Sequence, residues 1–380
     1  MNEQELYELA HKILSTITND LNEEIYSHLG GELKLTWSER PIFQAYASSS
    51  SNIDSPPNHT ICIHYELVKQ LYADIKKFEY FADNFHIQKD IKHILDSIIE
   101  IPIFPTKIIK EEAIINMFIS CLTWIYFHEL GHLYQEHGYI RNTFGLTNTP
   151  ATNIEEQYIE NSENLTPQQA KIFHITEIAA DYFGTTMCIS DLLRHFSSLE
   201  GTSLIDDDSQ GEEFIESSYM FLCGLSGILY KFYGDKISRD PNAIKIEVAP
   251  VGSHPNPLLR LELIYKNIVE LICLDSYKSI GNYSENRDKI TRIYTRAIFT
   301  GAYFWIIRNI ASEDFSPDFF SPNILDSEEK KNYMRIMVNI WNEIEPTILA
   351  IERHSIPNGT LKFSEQFTQI LDSVMITADS

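Results

Sequence analysis

Two short stretches hold the residues with chemistry in them. The first is Phe127-His128-Glu129-Leu130-Gly131-His132-Leu133, set in an apolar run that begins near Ala113. On a helix, residues four apart stand one above the other on the same face. His128 and His132 can therefore turn two imidazoles to one metal ion, with Glu129 at the edge of that face. This is the H-E-x-x-H arrangement, in which two histidines hold zinc and the glutamate acts as general base. A catalytic zinc site usually takes a third protein ligand and leaves one position for water. One class places that ligand close behind, as H-E-x-x-H-x-x-G-x-x-H. Gln135 and Gly138 stand at those positions here, which excludes it.

The second stretch is Glu177-Ile178-Ala179-Ala180-Asp181. Glu177 and Asp181 share a helix face, and Ala180 beside them is small enough for close helix packing. Two carboxylates on an otherwise apolar face need a reason, because burying unpaired charge is costly. A zinc ion and its histidines supply one. Glu177 would ligate the metal, and Asp181 would accept the ring N–H of a liganding histidine and fix its tautomer.

H-E-L-G-H followed by E-I-A-A-D resembles the gluzincin zinc metallopeptidases. Ser253-His254-Pro255 with Arg260 resembles the H-P-x-x-x-x-R element of the branch that contains the CAAX prenyl protease and the heat-shock protease HtpX. The extended stretches Pro41–Ala47 and Thr60–Tyr65, followed by Leu67–Leu71, are similar to what precedes the zinc helix in that branch. Two departures stand out: about forty extra residues before the zinc helix, and no clear membrane span. A bacterial protease of the phage-exclusion or toxin–antitoxin type is a comparable fit. The resemblance implies a zincin-like fold and a zinc-dependent endopeptidase acting on a protein or peptide substrate. In it His128, His132 and Glu177 hold Zn2+, Glu129 is the base and His254 donates to the oxyanion. Arg260 pairs with a site carboxylate or fixes its segment. The competing readings are a catalytically silent, zinc-stabilised regulatory protein and a hydrolase of a non-peptide amide. Retention of Glu129 speaks against the first, since that residue has no part in holding the metal.

Composition narrows the field. A net charge of −24 over 380 residues argues against nucleic acid as a partner, which would call for a basic face. The start, MNEQELYELAHKILSTI, is acidic and amphipathic where a secretory signal would be basic and then apolar. The longest mostly apolar run, Ala113 to Phe127, is short of the ~20 residues a bilayer needs. The five cysteines are far apart and include no C-x-x-C pair, so a reducing cytoplasm is the expected location. The oligomeric state is not legible.

The elements that must position these residues follow from periodicity. A helix is expected over 2–29, ended by Gly30-Gly31. Three extended stretches come next, at Glu32–Trp37, Pro41–Ala47 and Thr60–Tyr65, forming a small antiparallel sheet with Thr60–Tyr65 at the edge where a substrate strand would add. Helices are expected over 66–82, 87–99 and 111–137, the last capped by Gly138. Gly131 in its middle, about 1 kcal/mol worse than Ala, points to close approach of another chain segment. Residues 139–165 read as a long polar loop that, with the added residues 83–110, could close over the cleft. Thr166, Pro167 and Gln169 make a capping box for a helix running to about Ser198. A further helix over 213–232, a short strand at 243–249 and four or so helices after Pro257 complete an α-rich α+β chain. It reads as a single unit of 1–380: an N-terminal part to 110, a zinc-site core over 111–275 and a C-terminal helical part over 276–380. His174 and His137 lie close to the motifs and could be mistaken for ligands.

Overall fold

The computed structural model describes residues 1–85, 89–145, 153–154, 165–198, 208–239, 248–274, 283–309 and 327–372. The N-terminal helix α1 (Glu3–Leu21) opens on a capping box between Asn2 and Glu5 and runs into a π-turn at Asn22–Tyr26. Strands β1 (Glu32–Ser38), β2 (Ala45–Ser49) and β3 (Asn58–His64) follow, then α2 (Tyr65–Asp83) and α3 (Lys89–Ile98). Helix α4 (Lys110–Tyr134) carries the first motif, and a short α5 (His137–Phe144) leaves it at once. After a two-residue β4 (Asn153–Ile154) come α6 (Pro167–Ser198), α7 (Asp208–Arg239), α8 (Pro257–Ile272), α9 (Arg287–Asn309), α10 (Glu328–Ile351) and α11 (Glu365–Asp372). The result is α-rich with a small sheet. Residues 243–247 of the expected strand and most of the expected 139–165 loop lie outside the described residues, and residues 248 and 249 form a bend.

The sheet is mixed, not antiparallel. Its order is β1-β3-β2-β4, with β1 parallel to β3 (Glu32 opposite Asn58) and β2 antiparallel to it (Ala45 opposite Ile63). The cause is the turn at Gly30-Gly31. Gly30 has a φ of +66°, and a Cβ on Gly31 would stand 2.2 Å from the Pro57 carbonyl oxygen. Only glycine lets the chain pass this close to Pro56–Pro57 and enter β1 alongside the start of β3. β3 is thereby enclosed by β1 and β2, so Thr60–Tyr65 offers no edge to a substrate strand.

Helix α4 is the centre of the protein. Glu111 and Glu112 favour its N-terminus through the helix dipole. From Cys121 to Tyr134 every residue is buried, against α6, α7, α2, α1 and the sheet. A helix apolar all round belongs inside. By length and composition α4 could also cross a membrane, but 78% of that window is buried within the protein. The inserted α3 docks on α9, where Arg296 donates to Asp96 Oδ1 (2.8 Å) and to the carbonyls of Ile99 (2.7 Å) and Ile101 (2.6 Å).

Helix α6 starts on the capping box: Gln169 N–H donates to Thr166 Oγ1 (3.3 Å) and Thr166 N–H to Gln169 Oε1 (2.8 Å). It crosses α4 where both helices carry glycine. A Cβ on Gly131 would lie 3.0 Å from the Phe183 ring, and one on Gly184 would lie 3.0 Å from the His128 backbone nitrogen and 3.1 Å from its Cα. The approach foreshadowed by Gly131 is thus helix on helix, and Gly184 is the less forgiving of the two because it faces backbone where Gly131 faces a side chain. Gly184→Ala should push α6 away from His128 at a cost of about 1–3 kcal/mol and weaken metal binding with it. Urea unfolding together with metal titration measures both.

Candidate metal centre

The crossing brings the two motifs face to face. His128 Nε2 and His132 Nε2 are 3.2 Å apart, His128 Nε2 is 3.5 Å from Glu177 Oε2, and His132 Nε2 is 3.4 Å from Glu177 Oε1. With ligand bonds of ~2.0–2.1 Å, the corners of a tetrahedral site lie roughly 3.3–3.4 Å apart. The triangle has that size. All three side chains are buried, and among the described residues this is the only group of His, Cys, Asp or Glu found suited to a metal ion. Glu177 Oε2 supplies a second sign of fit. It is buried and has no hydrogen-bond partner among the described residues. Yet His128, Arg260 and His254 nitrogens stand 3.5, 3.7 and 3.8 Å from it. A buried carboxylate oxygen so placed is suited to a cation.

The outer nitrogens of the imidazoles are held as ligands require. His128 Nδ1 is 3.0 Å from Asp181 Oδ1, and the Trp124 ring lies against the imidazole with centroids 5.2 Å apart. His132 Nδ1 is 2.8 Å from His137 Nδ1, and His137 Nε2 is 3.2 Å from Gln135 Oε1. If His132 turns a bare Nε2 inward, its Nδ1–H donates to His137, whose Nε2–H then donates to Gln135. One tautomer assignment satisfies the whole chain. Burial first, then the neighbouring His132 and Arg141, hold the His137 pKa well below its ordinary value, so it stays the neutral acceptor this chain needs.

Two arginines steady the carboxylates. Arg260 makes a two-pronged pair with Asp181, Nε to Oδ2 at 2.7 Å and Nη2 to Oδ1 at 2.6 Å. Arg141 Nη2 donates to Glu177 Oε1 (2.6 Å) while its Nε donates to Thr176 Oγ1 (2.9 Å). Burial works to raise the Glu177 pKa, but His254, His132, His128 and Arg141 outweigh it and hold the carboxyl well below its usual range. Glu129 is fully buried on the same turn of α4 as His128. His254 follows Ser253, whose Oγ is 2.8 Å from its Nδ1, and precedes the α8 N-cap at Asn256. With 17% of its side chain exposed, it is more open than any ligand or carboxylate here and marks the solvent side.

Of the residues singled out in the sequence, His128, His132, Glu177, Asp181, His254 and Arg260 meet in this cluster, and Glu129 is buried beside His128 in the chain. The residues missed are Gln135, His137 and Arg141. They were hidden because α4 stops at Gln135 and Glu136 turns left-handed (φ +49°), starting α5 where a loop was expected. Gly138 caps nothing; it sits in the first turn of α5. The signal available was His137 and Arg141 at a one-turn spacing, immediately behind the motif.

His174 is not a ligand. Its Nδ1 is 2.7 Å from the Tyr333 hydroxyl of α10, and burial lowers its pKa to about 3. An unfolded histidine protonates near 6.5 and the folded one resists until about 3, so stability is lost as pH falls between those values. Between pH 6 and 5 the wild type should lose about 1 kcal/mol more than His174→Gln, as read from urea midpoints at the two pH values.

No family model matches the chain, and no curated protein or solved structure matches it either; what the centre can do follows from its own residues.

Proposed function

We propose that the chain is a zinc metallopeptidase of gluzincin type with a zincin-like core, cutting peptide bonds in a protein or peptide substrate of the cytoplasm. The observation that carries this is the triangle of His128 Nε2, His132 Nε2 and the Glu177 carboxylate, with Glu129 buried next to His128. Two imidazoles and one carboxylate are a donor set of the hydrolytic zinc enzymes, which keep a fourth position for water. When bound, zinc supplies a Lewis acid and brings the pKa of water toward ~7.

The chain's own residues do the rest. Glu129 takes the proton of the attacking water and passes it to the leaving amine. His254 Nε2, on the solvent side, donates to the oxyanion that forms on the substrate carbonyl. Asp181 and the His137–Gln135 chain keep the imidazoles in one tautomer. Arg141 and Arg260 hold Glu177 and Asp181 in place, so that neither moves when charge develops.

A second reading has one observation in its favour. Glu129 and all three ligands are buried, as suits a zinc-stabilised regulatory protein without turnover. Elemental analysis tests the metal, which both readings share. The purified chain should carry one zinc, and His128→Ala or Glu177→Ala should lose it while Asp181→Asn weakens it about 10–100-fold. A folded wild type that binds no zinc would end both readings. Full zinc content in Glu177→Ala would remove that residue from the ligand set. Peptidase activity on unfolded casein separates the first reading from the second.

A further inference from the structure

Away from the metal centre, α1, the β1–β2 turn and the start of α2 enclose a groove of about 680 Å3, within the range of ligand-sized pockets. Its walls are aromatic. Tyr7 meets Tyr65 edge-on with centroids 4.9 Å apart, and behind these lining rings Trp37 stacks on Tyr65 at 5.3 Å and lies tilted against His11 at 4.0 Å. The His11 Nε2 to Tyr65 hydroxyl distance is 2.9 Å. Its rim is acidic, with Glu3, Glu8, Glu39 and Glu66 against one lysine, Lys69. That lysine is itself a guest of the rim, its Nζ 3.2 Å from Glu3 Oε2. Aromatic faces beside carboxylates attract cations through the ring quadrupole and the local field together.

A strand edge leads into the groove. β1 is the outermost strand, and Glu32 N–H donates to the Pro57 carbonyl on the β3 side. Leu33 therefore faces outward, and there the Asn22 side chain pairs with both its N–H and its carbonyl at 2.8 Å. Alternate residues face the same way, so Leu35 and Trp37 also turn their N–H and carbonyl groups outward. Among the described residues no hydrogen bond outside the ladder reaches those groups.

We propose that this groove and the β1 edge together bind a basic, extended polypeptide segment. Its main chain adds beside Leu35 and Trp37, and a lysine or arginine side chain enters the groove over the Tyr7 and Tyr65 rings, facing Glu8 and Glu39. The inference is independent of the metal centre and of any hydrolysis.

The test is fluorescence anisotropy with the labelled peptide acetyl-Lys-Val-Lys-Val-Lys-Val-amide at low and at physiological salt. The wild type should bind it, with affinity falling as salt rises, and should ignore the same peptide with Glu in place of Lys. Glu8→Gln/Glu39→Gln alters exposed side chains only and should lower affinity at least tenfold. Tyr7→Leu should lower it comparably while Tyr65→Phe, which keeps the ring, should not. Because the whole chain is acidic, Glu111→Gln/Glu112→Gln on the exposed start of α4 is the control and should bind as the wild type does. Equal losses in the two charge variants would mean diffuse attraction and overturn the site, as would a wild type that does not bind. A wild-type dimer that Glu8→Gln/Glu39→Gln makes monomeric would assign the groove to a second copy of the chain and overturn the proposal as well.

Discussion

Glu129→Gln should keep full zinc content and lose turnover on unfolded casein by about 10²–10⁴-fold, the contribution of a positioned general base. The amide has nearly the shape of the carboxylate and accepts no proton at neutral pH, so the fold and the His128–His132–Glu177 triangle should persist. His254→Ala is the companion measurement. Losing an oxyanion donor should lower turnover by about 10²-fold or more with little change in zinc, whereas a His254 that only shapes the Ser253–Pro255 turn would leave turnover unchanged. A wild type as inactive as Glu129→Gln, with zinc in both, would favour the regulatory reading. The four outcomes are distinct because the proposal divides the work: His128, His132 and Glu177 would bind the metal, Glu129 would move the proton, and His254 would meet the developing charge.

Arg260→Gln should be the most destabilising of the substitutions around the centre. The guanidinium is buried, its partner Asp181 is 3% exposed, and their two hydrogen bonds are 2.6 and 2.7 Å long. Removing one member of such a pair strands a charge in the interior and costs about 3–5 kcal/mol, whereas removing both costs much less. Arg260→Gln/Asp181→Asn should accordingly recover a good part of the lost stability in urea unfolding. It should not recover zinc affinity, because Asp181 also faces His128 Nδ1 at 3.0 Å. A cost under about 1 kcal/mol in the single variant, the usual worth of an exposed pair, would mean that solvent reaches Asp181. The pair also ties the start of α8 to α6, so its loss should loosen the Ser253–Pro255 segment that presents His254.

What the sequence determined by itself is local. The one-turn spacings of His128 with His132 and of Glu177 with Asp181 place each pair on a face whatever surrounds it, because helix geometry is set by the backbone. Thr166, Pro167 and Gln169 specify a helix start for the same reason, and the box they form is present. The pairing of Arg260 with a site carboxylate could be anticipated as one of two options only, since nothing local says which acid is near. The tertiary structure decided the rest. β3 is interior and parallel to β1 because the Gly30-Gly31 turn passes against Pro57, a contact between residues distant in sequence. Helix α4 ends at Gln135, although Gly138 looked like its cap, because Glu136 is held in the left-handed region. Its carboxylate takes the Arg353 guanidinium, 217 residues further on, which also donates to the carbonyls of Ile53 and Ser55 (both 2.8 Å) and of Asn52 (2.7 Å). That clamp creates α5 and so delivers His137 and Arg141 to the candidate metal centre. A left-handed glutamate is unfavourable taken alone. Only the partners gathered by the folded chain make it the stable conformation, which is why no window of sequence around residue 136 could announce it.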